Sequence, residues 1–289
     1  MMEWISDRKI LIVGLGLMGG SYARGLTRLG FTVDAIDTDR ASLDFALAEG
    51  FIRRGWTEPL PEVIAQADVV ISGLYPTALV DWVRENERYL EPGTMMTDVT
   101  GVKSCVVYDV QALLPSGVEF VPAHPMAGHE HSGVRYSDDK VFRGANYIVT
   151  PTKKNTPEGI EWCKGLGRIL GFERIAVMSP EEHDEMIGFV SQLAHCIAVS
   201  LMTCSDSENL ADYTGDSFRD LTRIAEINDR MWGEIFLLNR EYLLAQIDKF
   251  SGELLNFRNL LDRGDVEGMR EKMRLATARR SKFGKRKRQ

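Results

Sequence analysis

The run Lys9-Ile10-Leu11-Ile12-Val13 passes without a break into Gly14-Leu15-Gly16-Leu17-Met18-Gly19. An apolar-periodic stretch from Met18 to Leu29 follows and stops at Gly30. A β-branched run, a G-x-G-x-x-G turn and a helix in that order constrain this chain more than any other feature in it. Gly14 allows the tight turn, Gly16 lets the backbone approach a pyrophosphate, and Gly19 lets the helix pack closely on the strand. The unpaired N–H groups of the first helical turn then face the phosphates. Leu15, Leu17 and Met18 complete the turn and join the three glycines as candidate cofactor-binding residues.

A second strand, Thr32 to Ile36, ends at Asp37, 18 residues after Gly19. A carboxylate there accepts hydrogen bonds from an adenosine ribose and repels a 2'-phosphate, so NAD is expected over NADP. Arg40 is the residue type that holds the extra phosphate, which keeps NADP as the lesser alternative. Strand and helix patterns continue to alternate. Helices are expected near Arg40 to Ala48, Pro61 to Ala67 and Thr77 to Tyr89, and strands at Asp68 to Leu74, Thr94 to Thr97 and Val118 to Val121. Tyr75-Pro76 breaks the third strand where a cofactor-facing loop belongs, which adds Leu74 and Tyr75 to the candidates. Ala145 to Thr150 and Phe172 to Val177 are expected to extend the same parallel sheet, with a helix from Thr156 to Leu170 between them.

After Ser179-Pro180 the strand signals vanish and helical periodicity takes over. The expected organisation is α/β: a Rossmann-type doubly wound sheet over residues 1–178, an all-α substrate and dimerisation domain over 179–278, and a basic tail over 279–289. The apolar helices from Trp232 to Phe250 and Leu254 to Leu261 are expected to build a homodimer.

The net charge is −7, and seven basic residues lie between Arg279 and Arg288, so removing that +7 leaves −14 on the rest. An acidic body repels polyanions, which argues against nucleic acid as a partner. No apolar run approaches bilayer-spanning length and the first residues lack a signal pattern, so no membrane partner and a cytoplasmic location are expected. Four scattered cysteines, with no C-x-x-C pair, read as buried reduced thiols.

Proton chemistry concentrates in His124-Pro125-Met126-Ala127-Gly128-His129-Glu130-His131-Ser132-Gly133, read as a loop leaving the sheet at a strand's carboxyl end. An imidazole there can accept a proton from a substrate hydroxyl. In the helical half, Ser191 and His195 are four apart and share a helix face. Arg223 lies in an apolar setting, and its planar fork suits bidentate binding of a carboxylate; a salt bridge to Asp220 or Glu226 is the alternative.

These segments together resemble the prephenate dehydrogenase family of tyrosine biosynthesis, from about Lys9 to Ala278. The resemblance rests on Gly14 to Ser21, on His124-Pro125-Met126-Ala127-Gly128 with Glu130, Ser132 and Gly133, on Ser191 to His195, and on Phe218 to Ala225. It implies NAD-dependent oxidative decarboxylation of prephenate to 4-hydroxyphenylpyruvate. His124 would take the ring hydroxyl's proton, Arg223 would hold a substrate carboxylate, and Ser191 and His195 would line the pocket. Glu130 would gate it and Asp220 would tune the ionic network. His129 and His131 stand where other residue types are common in the family, and one of the two would add polarity toward the substrate side chain, His129 being the candidate substrate-binding residue. The family pattern D-x-x-S-x-K departs here to Asp98-Val99-Thr100-Gly101-Val102-Lys103, with Thr100 as the candidate replacement hydroxyl toward the cofactor. No segment resembles a regulatory or mutase domain, so a monofunctional enzyme is expected. Three other readings stand beside this one: an arogenate dehydrogenase, a non-catalytic NAD-binding sensor, and a metal hydrolase built on His124, His129, His131 and Glu130. The last lacks the helical H-E-x-x-H spacing, and no metal is expected.

Overall fold

The β-branched runs form a six-stranded, all-parallel sheet. In chain order its strands are β1 (Lys9–Val13), β2 (Thr32–Ile36), β3 (Arg54–Trp56), β4 (Val69–Ser72), β5 (Met95–Asp98) and β6 (Glu119–Phe120). In space they run β3-β2-β1-β4-β5-β6, the doubly wound order whose ligand crevice lies at the carboxyl ends of β1 and β4. The computed structural model describes residues 4, 7–128 and 131–283. It divides into two compact units, Met1–Arg240 and Glu241–Gln289.

Alternate residues of each strand feed separate cores, as a sheet covered on both faces requires. Ile10, Ile12, Val69 and Ile71 pack with Tyr22 and Leu26 of α1 (Leu17–Arg28) and Leu166 of α6 (Pro157–Leu170). Leu11, Val13 and Val70 pack with Leu79 and Val83 of α4 (Pro76–Asn86) and Val106 and Val110 of α5 (Ser104–Leu113). Two shorter helices, α2 (Arg40–Ala48) and α3 (Pro61–Ile64), complete the layers.

Several expectations are corrected. Residues 145–150 and 172–177 do not extend the parallel sheet. They give β8 (Asn146–Val149) and β9 (Arg174–Val177) of a separate three-stranded sheet, ordered β7-β8-β9. Its first strand, β7 (Ala123–Met126), contains His124, so the histidine sits in a strand paired antiparallel with β8 rather than on a loop. Pro125 is tolerated because β7 is an edge strand. The remaining helices of the first unit are α7 (Pro180–Ile187), α8 (Leu193–Thr203), α9 (Leu210–Tyr213), α10 (Asp216–Thr222) and α11 (Asp229–Leu238). A π-helical turn at Gly188–Gln192 joins α7 to α8, so Pro180–Thr203 is one helical run of 24 residues. Against the expectation, that run is long and apolar enough to cross a membrane by length and composition. It nevertheless buries His183, Asp184 and Gln192 in polar contacts within the protein. Of the four thiols only Cys163 is buried.

The second unit is a helical pair, α12 (Arg240–Asp262) and α13 (Val266–Arg280). Gly264, at φ +66°, makes the turn between them, and Lys272 pairs with Glu253 across them at 2.6 Å. The helical break falls at Asn239 rather than at the expected gap after Phe250, because Asn239 caps α11 and is buried.

Candidate active site

The glycine turn has the geometry of a dinucleotide cradle. Gly14 holds φ +91°, and a Cβ on Gly19 would stand 1.9 Å from the Gly14 carbonyl oxygen, so neither position accepts a side chain. A Cβ on Gly16 would meet nothing within 4 Å, which is the open approach a pyrophosphate needs. Leu74 packs on the turn, its Cδ2 3.0 Å from where a Gly14 Cβ would be. The Leu15 side chain is interior, and its N–H donates to Asp37 Oδ2 at 2.5 Å, while Asp39 N–H donates to Oδ1 at 2.8 Å. Asp37 is thereby fixed at the carboxyl end of β2 with lone pairs left for ribose hydroxyls. Leu17 and Met18, half-buried, start α1 beside this opening. Arg40, the candidate for an extra phosphate, is turned along its own helix to Asp44 at 2.9 Å. These residues fit a bound NAD.

The proton-handling group was only partly foreseen. His124 Nδ1 lies 2.9 Å from His183 Nε2, and His183 Nδ1 lies 2.8 Å from Asp184 Oδ1. A carboxylate only accepts, so His183 donates to it from Nδ1 and presents a lone pair at Nε2. His124 then donates from Nδ1, and its own Nε2 is left as a bare base. Burial, then the neighbouring His183 and the Lys103 charge, hold the His124 pKa well below the usual 6.5, so the ring is neutral at working pH. His183 is fully buried and its pKa is lowered mainly by desolvation.

The local sequence sets this relay in place. Ser179 and Glu182 form a reciprocal capping box that starts α7 and positions His183 and Asp184 in its second turn. Asp184 reaches across to the start of α5, accepting from Lys103 N at 2.8 Å and Ser104 N at 2.7 Å. Burial pushes its carboxyl up, but the His183 and Ser104 hydrogen bonds outweigh that and hold it low. On the other side, Lys103 Nζ donates to Asp98 Oδ2 at 2.7 Å, to Thr100 Oγ1 at 3.1 Å and to the Ala123 carbonyl at 2.6 Å. Asp98 Oδ1 accepts from Ala123 N at 3.0 Å. The fully buried Asp98–Lys103 pair thus grips Ala123 at both backbone groups, immediately before His124.

Thr100 is corrected by the same cluster. Its buried hydroxyl is spent on the Asp98 carboxylate and lies 2.9 Å from the Val102 carbonyl, so it serves this clamp instead of reaching a cofactor. Gly101 faces the imidazole: a Cβ there would stand 3.8 Å from His124 Nε2 and 3.7 Å from Ile235 Cδ1.

In the helical half, His195 Nδ1 donates to the Ser191 carbonyl at 2.9 Å, one turn back and just beyond the π-helical turn. Its Nε2 therefore also carries a lone pair, and burial and the Arg223 charge lower its pKa despite the Ser191 bond. The His195 ring lies against Trp232, tilted by 31°, with 3.7 Å between centroids. Helix α11 joins the two parts of the site, carrying Trp232 against His195 and Ile235 against Gly101. It also reaches the cofactor loop: Glu234 accepts from Thr77 N at 2.9 Å, and Asn228 lies 3.5 Å from the Tyr75 hydroxyl. Arg223 occupies a 3-10 turn after α10 and is exposed rather than apolar in setting; Asp220, near the end of α10, is also exposed. His129 and Glu130 lie outside the described residues.

His183, Asp184, Lys103 and Trp232 were missed as a group. The available signal was the His-Asp pair one turn after Ser179-Pro180, on the same helical run as Ser191 and His195.

A doubly wound sheet, a glycine turn with a ribose carboxylate, and a neutral histidine held as a base define an NAD-dependent dehydrogenase. Residues 22–171 match the prephenate dehydrogenase nucleotide-binding domain and residues 179–275 its dimerization domain, and the chain belongs to the prephenate dehydrogenase family. It is 33% identical to the prephenate dehydrogenase of Bacillus subtilis over 90% of this chain and 72% of that protein. It is 29% identical to the cyclohexadienyl dehydrogenase of Zymomonas mobilis, over 91% and 92%. The crystal structure of prephenate dehydrogenase from A. aeolicus in complex with hydroxyphenyl propionate and NAD+ aligns with a TM-score of 0.88 and 31% identity, covering 98% of this chain and 100% of that one.

Proposed function

We propose that this enzyme converts prephenate to 4-hydroxyphenylpyruvate and carbon dioxide, in the route to tyrosine. The observation that carries the reading is the bare Nε2 of His124 at the end of a relay that ends in a carboxylate. NAD, held by Gly14, Gly16, Gly19 and Asp37, supplies the hydride acceptor. His124 Nε2 takes the proton of the ring hydroxyl as the hydride leaves the same carbon. The bond to the ring carboxylate breaks, its electron pair enters the ring, and aromatisation supplies the driving force. The charge arriving on His124 spreads through its Nδ1–H to His183, whose partner Asp184 favours the cationic pair.

Arg223 holds a substrate carboxylate, with Ser191 and His195 lining the same pocket, Glu130 gating it, and His129 and Asp220 adding polar contacts. Leu15, Leu17, Met18, Leu74 and Tyr75 border the cofactor. The domain boundary falls at Met178, just after β9, and the helical part forms a homodimer in the cytoplasm. NADH formation measured separately with prephenate and with arogenate tests the substrate; turnover of arogenate alone would overturn the reading. NAD binding without oxidation of either would leave a sensor.

A further inference from the structure

Arg40 is turned along its own helix to Asp44, which leaves room for a second cation to meet the adenosine ribose. The segment Val134–Tyr136 supplies a candidate. It packs on the first turn of α1, where a Cβ on Gly20 would stand 3.2 Å from Val134 Cγ2 and 2.8 Å from Ser137 Cβ. Ser21 Oγ accepts from Asp138 N at 3.1 Å and extends the contact. Val134 is buried, which turns the next residue, Arg135, outward to solvent. The Arg135 guanidinium lies 5.0 Å from the centre of the Phe45 ring on α2. Its charge also bears on Asp39, the N-cap of α2 and two residues beyond Asp37. The Asp39 carboxyl is held below its usual range by Ser42, then by Ala41 N–H, with Arg135 contributing. Arg135 therefore stands between the first turn of α1 and the second turn of α2, on the two helices whose starts flank the ribose carboxylate. Among the described residues it has no salt bridge shorter than 4 Å. Asp39 already spends its oxygens on Ala41 N, Ser42 N and Ser42 Oγ, so it competes weakly for the cation.

We propose that Arg135, and not Arg40, receives a 2'-phosphate on the adenosine ribose and sets how far this enzyme tolerates NADP. The proposal rests on the reading of Asp37 and the glycine turn as the NAD site. A guanidinium on a flexible stem beside a ribose carboxylate gives a site that prefers NAD but retains a partner for the extra phosphate.

The test is calorimetric binding of adenosine 2',5'-bisphosphate and of 5'-AMP to the full chain and to Arg135→Gln and Arg40→Gln. Both side chains are exposed, so both variants keep the fold. Arg135→Gln is expected to weaken adenosine 2',5'-bisphosphate about 10-fold or more, the loss of one charge-assisted contact, with 5'-AMP changed less than about twofold. Arg40→Gln is expected to leave both unchanged. The proposal is overturned if Arg135→Gln weakens both ligands alike, if it weakens neither, if Arg40→Gln weakens the bisphosphate, or if the unaltered chain binds 5'-AMP but no bisphosphate. Failure of the unaltered chain to bind 5'-AMP and NAD would instead overturn the cofactor site itself.

Discussion

His124 and His183 come from strands and helices 59 residues apart in the chain, yet their rings meet nitrogen to nitrogen at 2.9 Å. That contact decides which nitrogen of His124 is free. Asp184 can only accept, so each imidazole donates from Nδ1, and the nitrogen of His124 left with a free lone pair for the proposed base role is Nε2.

Replacing His124 by Asn removes that base while keeping a polar side chain of similar reach. Turnover is expected to fall by roughly two to four orders of magnitude, the usual contribution of a general base. Prephenate affinity, measured by equilibrium titration with the enzyme lacking NAD, should change little. A variant that turns over normally would remove His124 from the chemistry.

Replacing Asp184 by Asn puts an amide where only an acceptor now stands. It can donate to His183, reverse the tautomer and leave His124 Nδ1 facing a donor. A fall in kcat of about 10- to 100-fold is expected, as for other groups that orient a reacting side chain, with KM nearly unchanged. Since Asp184 also accepts from Lys103 N and Ser104 N, the melting temperature will drop too. Partial unfolding also lowers the apparent kcat at constant KM, so the pH profile makes the distinction: lost folding leaves the profile of the remaining enzyme unchanged, whereas a reversed tautomer at His183 shifts it.

Much of the nucleotide half was legible because β-branched runs and the glycine turn depend on neighbours in sequence. The Cβ clash at Gly19, the open side of Gly16 and the positive φ of Gly14 are the roles their spacing implied. Strand β7 was not legible, since Pro125 reads as a breaker and only the edge position in the second sheet makes it harmless. Strand β3 is Arg-Gly-Trp, too short and too polar for a period to appear. The relay was only half legible: the His183-Asp184 pair stands in the sequence, but burial and long-range contact choose His183 over the histidines nearer His124 as its partner. Thr100 misled because its hydroxyl is one residue from the expected place, and one residue along a turn points it into the fold toward Asp98.

The pH dependence follows from three lowered histidines. Burial lowers the pKa of His124, His183 and His195 in the folded chain, whereas each returns to about 6.5 on unfolding. Below pH 6.5 the unfolded chain binds more protons, so stability is full above that pH and is lost as the pH falls toward the folded values. The melting temperature should be lower at pH 5 than at pH 7.5, while kcat/KM stays level from pH 7.5 down past 6.5 because His124 remains neutral. A melting temperature that rises on acidification would contradict the burial of these rings.

Arg223 is exposed in a single chain, so its contribution is that of a charged hydrogen bond at an open site rather than of a buried pair. Replacing it by Ala is expected to cost about 1.5 to 3 kcal/mol of substrate binding, roughly a 10- to 100-fold rise in KM, with kcat nearly kept. The opposite pattern, a normal KM with kcat lost, would exchange the roles given to Arg223 and His124.

Association through the helical part is testable on α12. Leu254, Leu255 and Leu261 are 60%, 56% and 62% exposed, and on α13 Val266, Met273 and Leu275 are likewise open. Large apolar side chains standing together on one helical pair mark a surface that another chain covers. Each leucine buried on association contributes about 1.5 to 3 kcal/mol, so charging two adjacent ones removes much of what holds a dimer. The double change Leu254→Glu with Leu255→Glu should shift the light-scattering mass from dimer to monomer at micromolar concentration while the far-ultraviolet spectrum stays helical. Since the altered side chains are already in water in the single chain, loss of helix is not expected, and an unchanged dimer mass would move the interface to the other exposed apolar face, Phe189 and Val190 on the run from α7 to α8.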